Sequence, residues 1–286
     1  MALIGVGLMG GSLGLAVKRA KLVGEIVGYS PEPAALKRAV QRGAIDRFTK
    51  SAPEAVREAD LVVLATPAGS FEPLVKECAS SFKLGAILTD VGSVKGALVG
   101  RIDALLPPHV VYLPAHPLAG RERSGIDASS ATLFDGCRCL ITPGHRNNQI
   151  GRPDALKRLT GLWEKIGATV TMLDPFEHDR YLALVSHLPH LVAYALVNCA
   201  MDAAKEAPGL LGFSAGGFRD FTRIAASSPE MWRDICLENR AEILSALARY
   251  QSVLERYRRL IEAGDGASLE AAFRDARLVK EELRSA

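Results

Sequence analysis

Four short segments of this 286-residue chain hold side chains suited to chemistry on a small anionic molecule. In Ala115-His116-Pro117-Leu118-Ala119-Gly120 a histidine ends a strand-like run, stiffened by proline and flanked by small residues. Imidazole, with a reference pKa near ~6.5, accepts a hydroxyl proton at neutral pH, as oxidation of an alcohol requires. The plainer alternative for His116 is a strand cap. Ser93, within Asp90-Val91-Gly92-Ser93-Val94-Lys95, can share a hydrogen bond with the same hydroxyl. His187 and His190 stand three apart in Ser186-His187-Leu188-Pro189-His190. With no carboxylate motif beside them they suit an anionic or hydroxylated ligand better than a metal ion. Gly216-Gly217-Phe218-Arg219-Asp220-Phe221-Thr222-Arg223 sets glycines before an arginine pair, as in a loop shaped around a carboxylate, for which guanidinium supplies a two-pronged fit. Arg219 itself reads as a surface arginine.

These side chains need a scaffold that presents a hydride acceptor, and the first residues supply one. An apolar run, Leu3 to Val6, leads into Gly5-Val6-Gly7-Leu8-Met9-Gly10, followed by a helix-compatible stretch from Ser12 to Arg19. Gly5 allows the tight turn, Gly7 lets backbone approach a pyrophosphate, and Gly10 lets helix and strand touch, with the amides around Leu8 and Met9 facing the phosphates. Thr66 and Pro67 end a further strand, and Asp90 to Lys95 follow the next, both at the carboxyl edge where a nicotinamide lies. In Gly28-Tyr29-Ser30-Pro31-Glu32, Ser30 occupies the place of the acid that binds a ribose 2′-hydroxyl. Its absence removes repulsion against a 2′-phosphate, although no arginine is adjacent and Glu32 can slide into the acid's role. The expected cofactor is NADP or NAD, with a lean toward NADP.

The order of patterns predicts an α/β chain: a Rossmann-type doubly wound parallel sheet over residues 1–173, then an all-helical substrate-binding and dimerisation domain over 174–286. Strands are expected at Ile26–Tyr29, Leu61–Ala65, Ala86–Val91 and Val110–Pro114, with Cys139–Thr142 and Thr169–Leu173 as later members. Helices are expected at Pro33–Arg42, Phe71–Ser80 and Leu156–Ile166, and Gly144 to Gly151 reads as a loop around Asn147 and Asn148. Long amphipathic helices follow at Leu182–Ala204, Pro229–Glu262 and Ser268–Leu283. The stripe Ile243, Leu247, Tyr250, Leu254, Tyr257 and Ile261 is more apolar face than a small domain covers alone, which points to a homodimer or to packing within the chain. Five scattered cysteines, including the alternating pair Cys137 and Cys139, suit reduced thiols rather than disulfides or zinc. A net charge of +3 gives no reason to invoke nucleic acid. No run approaches about 18 uninterrupted apolar residues, and the cofactor strand begins at once, so a cytoplasmic chain with neither membrane span nor signal peptide is expected.

Taken together, Gly5 to Gly14, Gly92-Ser93-Val94-Lys95, His116-Pro117-Leu118-Ala119-Gly120, Ser186 to His190 and Asp220-Phe221-Thr222-Arg223 resemble the prephenate/arogenate dehydrogenase family of tyrosine biosynthesis. The resemblance spans nearly the whole chain. It implies oxidative decarboxylation of a cyclohexadienyl substrate with hydride transfer to NAD(P), by a Rossmann-type domain followed by a helical domain that dimerises. By position it makes His116 the acceptor of the hydroxyl hydrogen bond, assisted by Ser93. Arg223 becomes the anchor of the side-chain carboxylate, with His187 and His190 lining the same pocket. A tight ion pair to the departing ring carboxylate would favour the ground state, which supports giving Arg223 the other carboxylate. Glu122 and Asp220 match acidic positions that form an ionic gate with the substrate arginine, their alternative being solvated surface charges. Trp232 is expected at the pocket wall or the dimer interface. Ser30 departs from NAD-specific members, and Leu118 stands where isoleucine or methionine is commoner. The competing readings are a β-hydroxyacid dehydrogenase or imine reductase, and a nucleotide sensor without chemistry.

Overall fold

Nine strands carry the α/β part of the molecule, a computed structural model that describes residues 1–144 and 152–285. The expected loop around Asn147 and Asn148 lies outside the described residues. The strands are β1 (Ala2–Ile4), β2 (Val27–Tyr29), β3 (Arg47–Phe48), β4 (Leu61–Leu64), β5 (Ile87–Asp90), β6 (Val111–Tyr112), β7 (Ala115–Pro117), β8 (Arg138–Ile141) and β9 (Thr169–Met172). The first six form one parallel sheet in the order β3-β2-β1-β4-β5-β6. Chain order reverses between β1 and β4, which opens a crevice beyond their carboxyl ends. Leu3, Val63 and Leu88, on the three central strands, are fully buried, as strands covered on both faces require.

Cys139–Thr142 and Thr169–Leu173 do not extend that sheet. β8 and β9 form a second, three-stranded sheet in which β7 runs antiparallel to β8, while β8 and β9 are parallel. The cause is local: Pro114 has no N–H to continue a ladder after β6, and its carbonyl instead accepts the Thr142 N–H at 3.0 Å. His116 therefore sits within β7, opposite Leu140, and not at the tip of a parallel strand.

The helical region differs from the sequence expectation in two places. A helix begins at Pro175, earlier than Leu182, because Asp174 caps it by accepting the Phe176 and Glu177 N–H groups. It runs on through a π turn at Ala183–His187 into Leu188–Glu206. By length and composition Pro175–Glu206 is long and apolar enough to cross a membrane, although it carries His178, Asp179 and His187 buried within the fold. The single helix expected over Pro229–Glu262 divides into Pro229–Glu238 and Arg240–Glu262. Asn239 leaves helical geometry, and its buried amide donates to the Asp179 carbonyl at 2.8 Å.

The chain forms two compact units, Met1–Arg240 and Ala241–Ala286. The compositional change at Asp174 falls within the first unit, where Pro175–Leu182 packs on the helix Gly96–Leu105 and Pro229–Glu238 on the turn Ala68–Ser70. In the second unit Tyr257 and Phe273 meet edge to face with centroids 5.5 Å apart.

At the carboxyl end of β5 lies an ion pair that is 1% exposed on both sides, Lys95 to Asp90 at 2.8 Å. Lys95 Nζ also donates to the carbonyls of Gly92 at 2.6 Å and Val94 at 3.2 Å, while Asp90 accepts the Tyr112 hydroxyl at 2.9 Å. Lys95→Met should leave the carboxylate buried and unpaired and cost about 3–5 kcal/mol, read as a lower urea midpoint. A midpoint equal to wild type would remove the pair from the stability of the fold.

Candidate active site

The three glycines of the opening turn have separable geometric reasons. At Gly5 the backbone has φ +100°, and a Cβ would lie 2.6 Å from the Ala65 carbonyl oxygen. A Cβ on Gly10 would lie 2.0 Å from the Gly5 carbonyl oxygen, whereas one on Gly7 would meet nothing within 4 Å. Gly7 is open to the crevice. It caps the helix Leu8–Arg19, whose first turn has no acidic residue and no side-chain cap. The amides around Leu8 and Met9 therefore offer an uncontested anion site beside β1.

Next to this turn a cavity of about 780 Å³ is lined by Tyr29, Pro31, Thr66, Pro67, Ser70 and Arg233 among others. Its size and its place beyond β2 and β4 suit part of a dinucleotide. Ser30 Oγ accepts the Glu32 N–H at 3.3 Å. Arg38, unremarked in the sequence, stands nearby in loose ion pairs with Glu32 at 3.8 Å and Asp127 at 3.5 Å.

A second pocket, about 470 Å³, gathers Ser93, His116, Glu122, His190, Arg223 and Trp232 from five separate segments. Arg223 is paired with Glu122. His190 donates from Nδ1 to the Ser186 carbonyl at 2.9 Å and stacks on Trp232, centroids 3.8 Å apart. Trp232 is thus pocket wall. His187 and Asp220 are not brought into the lining. His187 is fully buried behind the wall, where its Nδ1 accepts from the Asn239 amide at 3.1 Å, because the π turn directs it inward. Asp220 is exposed on the short helix Gly216–Thr222, and Arg219 bonds the Ser214 carbonyl at 2.9 Å.

Sequence reasoning missed what lies behind His116. Its Nδ1 is 2.8 Å from Nε2 of His178, whose own Nδ1 is 2.7 Å from Asp179 Oδ1. The same Oδ1 accepts the Lys95 N–H at 2.8 Å. The available signal was the pair His178-Asp179, shortly after a capped helix start on the helix that carries His187 and His190.

Burial holds the His116 imidazole well below its ordinary pKa, with His178, Lys95 and His187 adding to the effect. Burial also lowers His178 and His190 and takes His187 down to about 4. A neutral imidazole at the pocket can accept a proton, while Arg223 can hold a carboxylate. Among the described residues no three His, Cys, Asp or Glu side chains are placed to bind a metal ion.

The chain matches two family descriptions, "Prephenate dehydrogenase, nucleotide-binding domain" over residues 13–172 and "Prephenate dehydrogenase, dimerization domain" over residues 174–275. It is 34% identical to the prephenate dehydrogenase of Bacillus subtilis, over 96% of this chain and 73% of that protein. Identity to the cyclohexadienyl dehydrogenase of Zymomonas mobilis is also 34%, over 100% of this chain and 96% of that one. Among solved structures, prephenate dehydrogenase from Aquifex aeolicus, in complex with hydroxyphenyl propionate and NAD+, superposes with a TM-score of 0.91 at 33% identity. That superposition covers 99% of this chain and 97% of the other. These matches do not favour a hydroxyacid dehydrogenase, an imine reductase or a sensor.

The depressed histidines predict acid lability. His116, His178 and His187 stay neutral in the fold but take up protons in the unfolded chain below pH ~6.5, so unfolding binds protons and stability falls as pH falls. For His187 this window runs from pH ~6.5 down to about 4. Urea midpoints should be level above pH ~6.5 and drop steeply below it. A flat profile down to pH ~5 would contradict the burial of these rings.

Proposed function

Because this chain belongs to the prephenate dehydrogenase family, we propose that it oxidatively decarboxylates a cyclohexadienyl substrate, prephenate, arogenate or both, giving 4-hydroxyphenylpyruvate or tyrosine. The supporting observation is the convergence of Ser93, His116, His190 and Arg223 on one pocket. The open Gly7 and the uncapped amides of the following helix fit a pyridine dinucleotide, with Thr66 and Pro67 lining the adjoining cavity. Held there, the nucleotide would supply the acceptor for the hydride on the ring carbon that bears the hydroxyl.

The side chains of this protein do the rest. His116 takes the hydroxyl proton as the carbon becomes carbonyl-like, and Ser93 orients that hydroxyl. The bond to the ring carboxylate then breaks, its electrons complete the aromatic ring and pass to the carbonyl oxygen, which takes the proton back from His116, and carbon dioxide leaves. Arg223 anchors the side-chain carboxylate, displacing Glu122, while the ring carboxylate is left without an ion pair that would oppose its loss. His190, held by Ser186 and Trp232, lines the side-chain end.

For the nucleotide the reading leans to NADP. Ser30 offers no carboxylate against a 2′-phosphate, and Arg38 stands in long ion pairs to Glu32 and Asp127. Residues 1–173 serve as the nucleotide domain and 174–286 as the substrate and dimerisation domain of a cytoplasmic homodimer.

The test is reduced-nicotinamide absorbance with prephenate and arogenate crossed against NAD and NADP. Turnover in at least one combination is expected, and silence in all four with intact nucleotide binding would overturn the reading. His116→Asn should lower kcat about 10²-fold or more and spare nucleotide affinity. Arg223→Ala should raise KM about 10- to 100-fold, the loss of one charge-assisted bond, with a smaller effect on kcat.

A further inference from the structure

Which nitrogen of His116 is bare decides whether it can accept a proton, and the side chains behind it leave one arrangement. We propose that Asp179 and His178 are a positioning pair that holds the His116 proton on Nδ1 and keeps Nε2 bare toward the pocket. This rests on the reading of His116 as the proton acceptor.

The derivation needs only donors and acceptors. An ionised carboxylate accepts and never donates, so at 2.7 Å from Asp179 Oδ1 the His178 Nδ1 carries a hydrogen. Burial keeps His178 neutral, which leaves its Nε2 without one. That bare nitrogen is 2.8 Å from His116 Nδ1, so the hydrogen between them belongs to His116. Neutral His116 has a single N–H, and its Nε2 is left as the lone pair for the pocket. The opposite tautomer would set two lone pairs against each other.

Asp179 is held firmly enough to impose this order. Its Oδ1 also accepts the Lys95 N–H at the start of the helix Gly96–Leu105, where the helix dipole favours a carboxylate. The fit is close: a Cβ on Gly96 would lie 2.5 Å from Asp179 Oδ2. Since Lys95 ends the segment that carries Ser93, one carboxylate registers both pocket groups, His116 through His178 and Ser93 through the Lys95 backbone. When Nε2 takes a proton, His116 becomes a cation whose Nδ1–H stays on His178, and the Asp179 charge lies one ring away to offset it. The groups facing this relay are the cation Lys95, the neutral His187 and the carboxylate Asp90.

Long-range ¹H–¹⁵N NMR of the full chain labelled in histidine, without substrate, reads the tautomer directly. The wild type should show His116 protonated at Nδ1, and Asp179→Asn should show a mixture or the Nε2–H form. Protonation of wild-type His116 at Nε2 would overturn the proposal. With substrate, Asp179→Asn should lower kcat about 10²-fold while KM and nucleotide affinity change by less than about threefold. Loss of the negative charge should also move the acid limb of kcat/KM to lower pH. His178→Gln, whose amide oxygen can accept the same hydrogen, should lose about tenfold, and His178→Leu about 10²-fold. A lower kcat in Asp179→Asn with the tautomer and acid limb unmoved would make Asp179 merely structural and sink the proposal. If wild type turns over no cyclohexadienyl substrate, the functional reading fails, and the tautomer measurement still decides this one.

Discussion

An ammonium group buried at the end of a central strand is the constraint around which the reacting edge is organised. Lys95 at 1% exposure can persist only beside an opposite charge and with its donors filled, and Asp90 and two backbone carbonyls supply these. The carbonyls are those of Gly92 and Val94, so the segment wraps around the ammonium and presents the residue between them, Ser93, to the pocket. The Lys95 backbone then meets Asp179, which ties the helix bearing the histidines to the sheet. The same positive charge opposes protonation of His116. Stability and basicity at this edge share one source.

Charge is used sparingly in the pocket. The rings of His116 and His190 are held toward neutrality, and Arg223 is already balanced by Glu122. On the proposed role of Arg223, an incoming carboxylate would replace Glu122, and the free energy gained would be a difference between two similar pairs. Recognition in such a site depends on geometry and on the company of neighbouring groups more than on net attraction.

Much of the scaffold was legible because its signals are local. Gly5 and Gly10 each avoid a clash with backbone a few residues away or on the adjacent strand, and the alternation of strands and helices follows from hydrophobic period. His116 was legible as a residue type and misplaced as an element: the missing N–H of Pro114 starts a new sheet. The helix break at Asn239 was invisible because its cause is a carbonyl 60 residues away in sequence, at Asp179. The relay behind His116 joins residues 62 apart, and a helix pattern does not say which of its faces meets which strand. Arg38 is not adjacent to Ser30 along the chain and stands beside Glu32 only in space, which a linear pattern does not show.

The π turn at Ala183–His187 has a mechanical consequence for the helix that carries it. An α-helix advances about 100° per residue, so positions nine apart, such as His178 and His187, would point in nearly opposite directions. One wider turn between them absorbs an extra residue and rotates everything that follows by about a residue's worth of angle, swinging His187 and His190 back toward the side of His178. The helix thus works as a two-part crankshaft whose throw is set by residue count. Side chains in that turn can be exchanged while the angle survives, but deleting one residue would re-index the distal arm and move both imidazoles off their bearings.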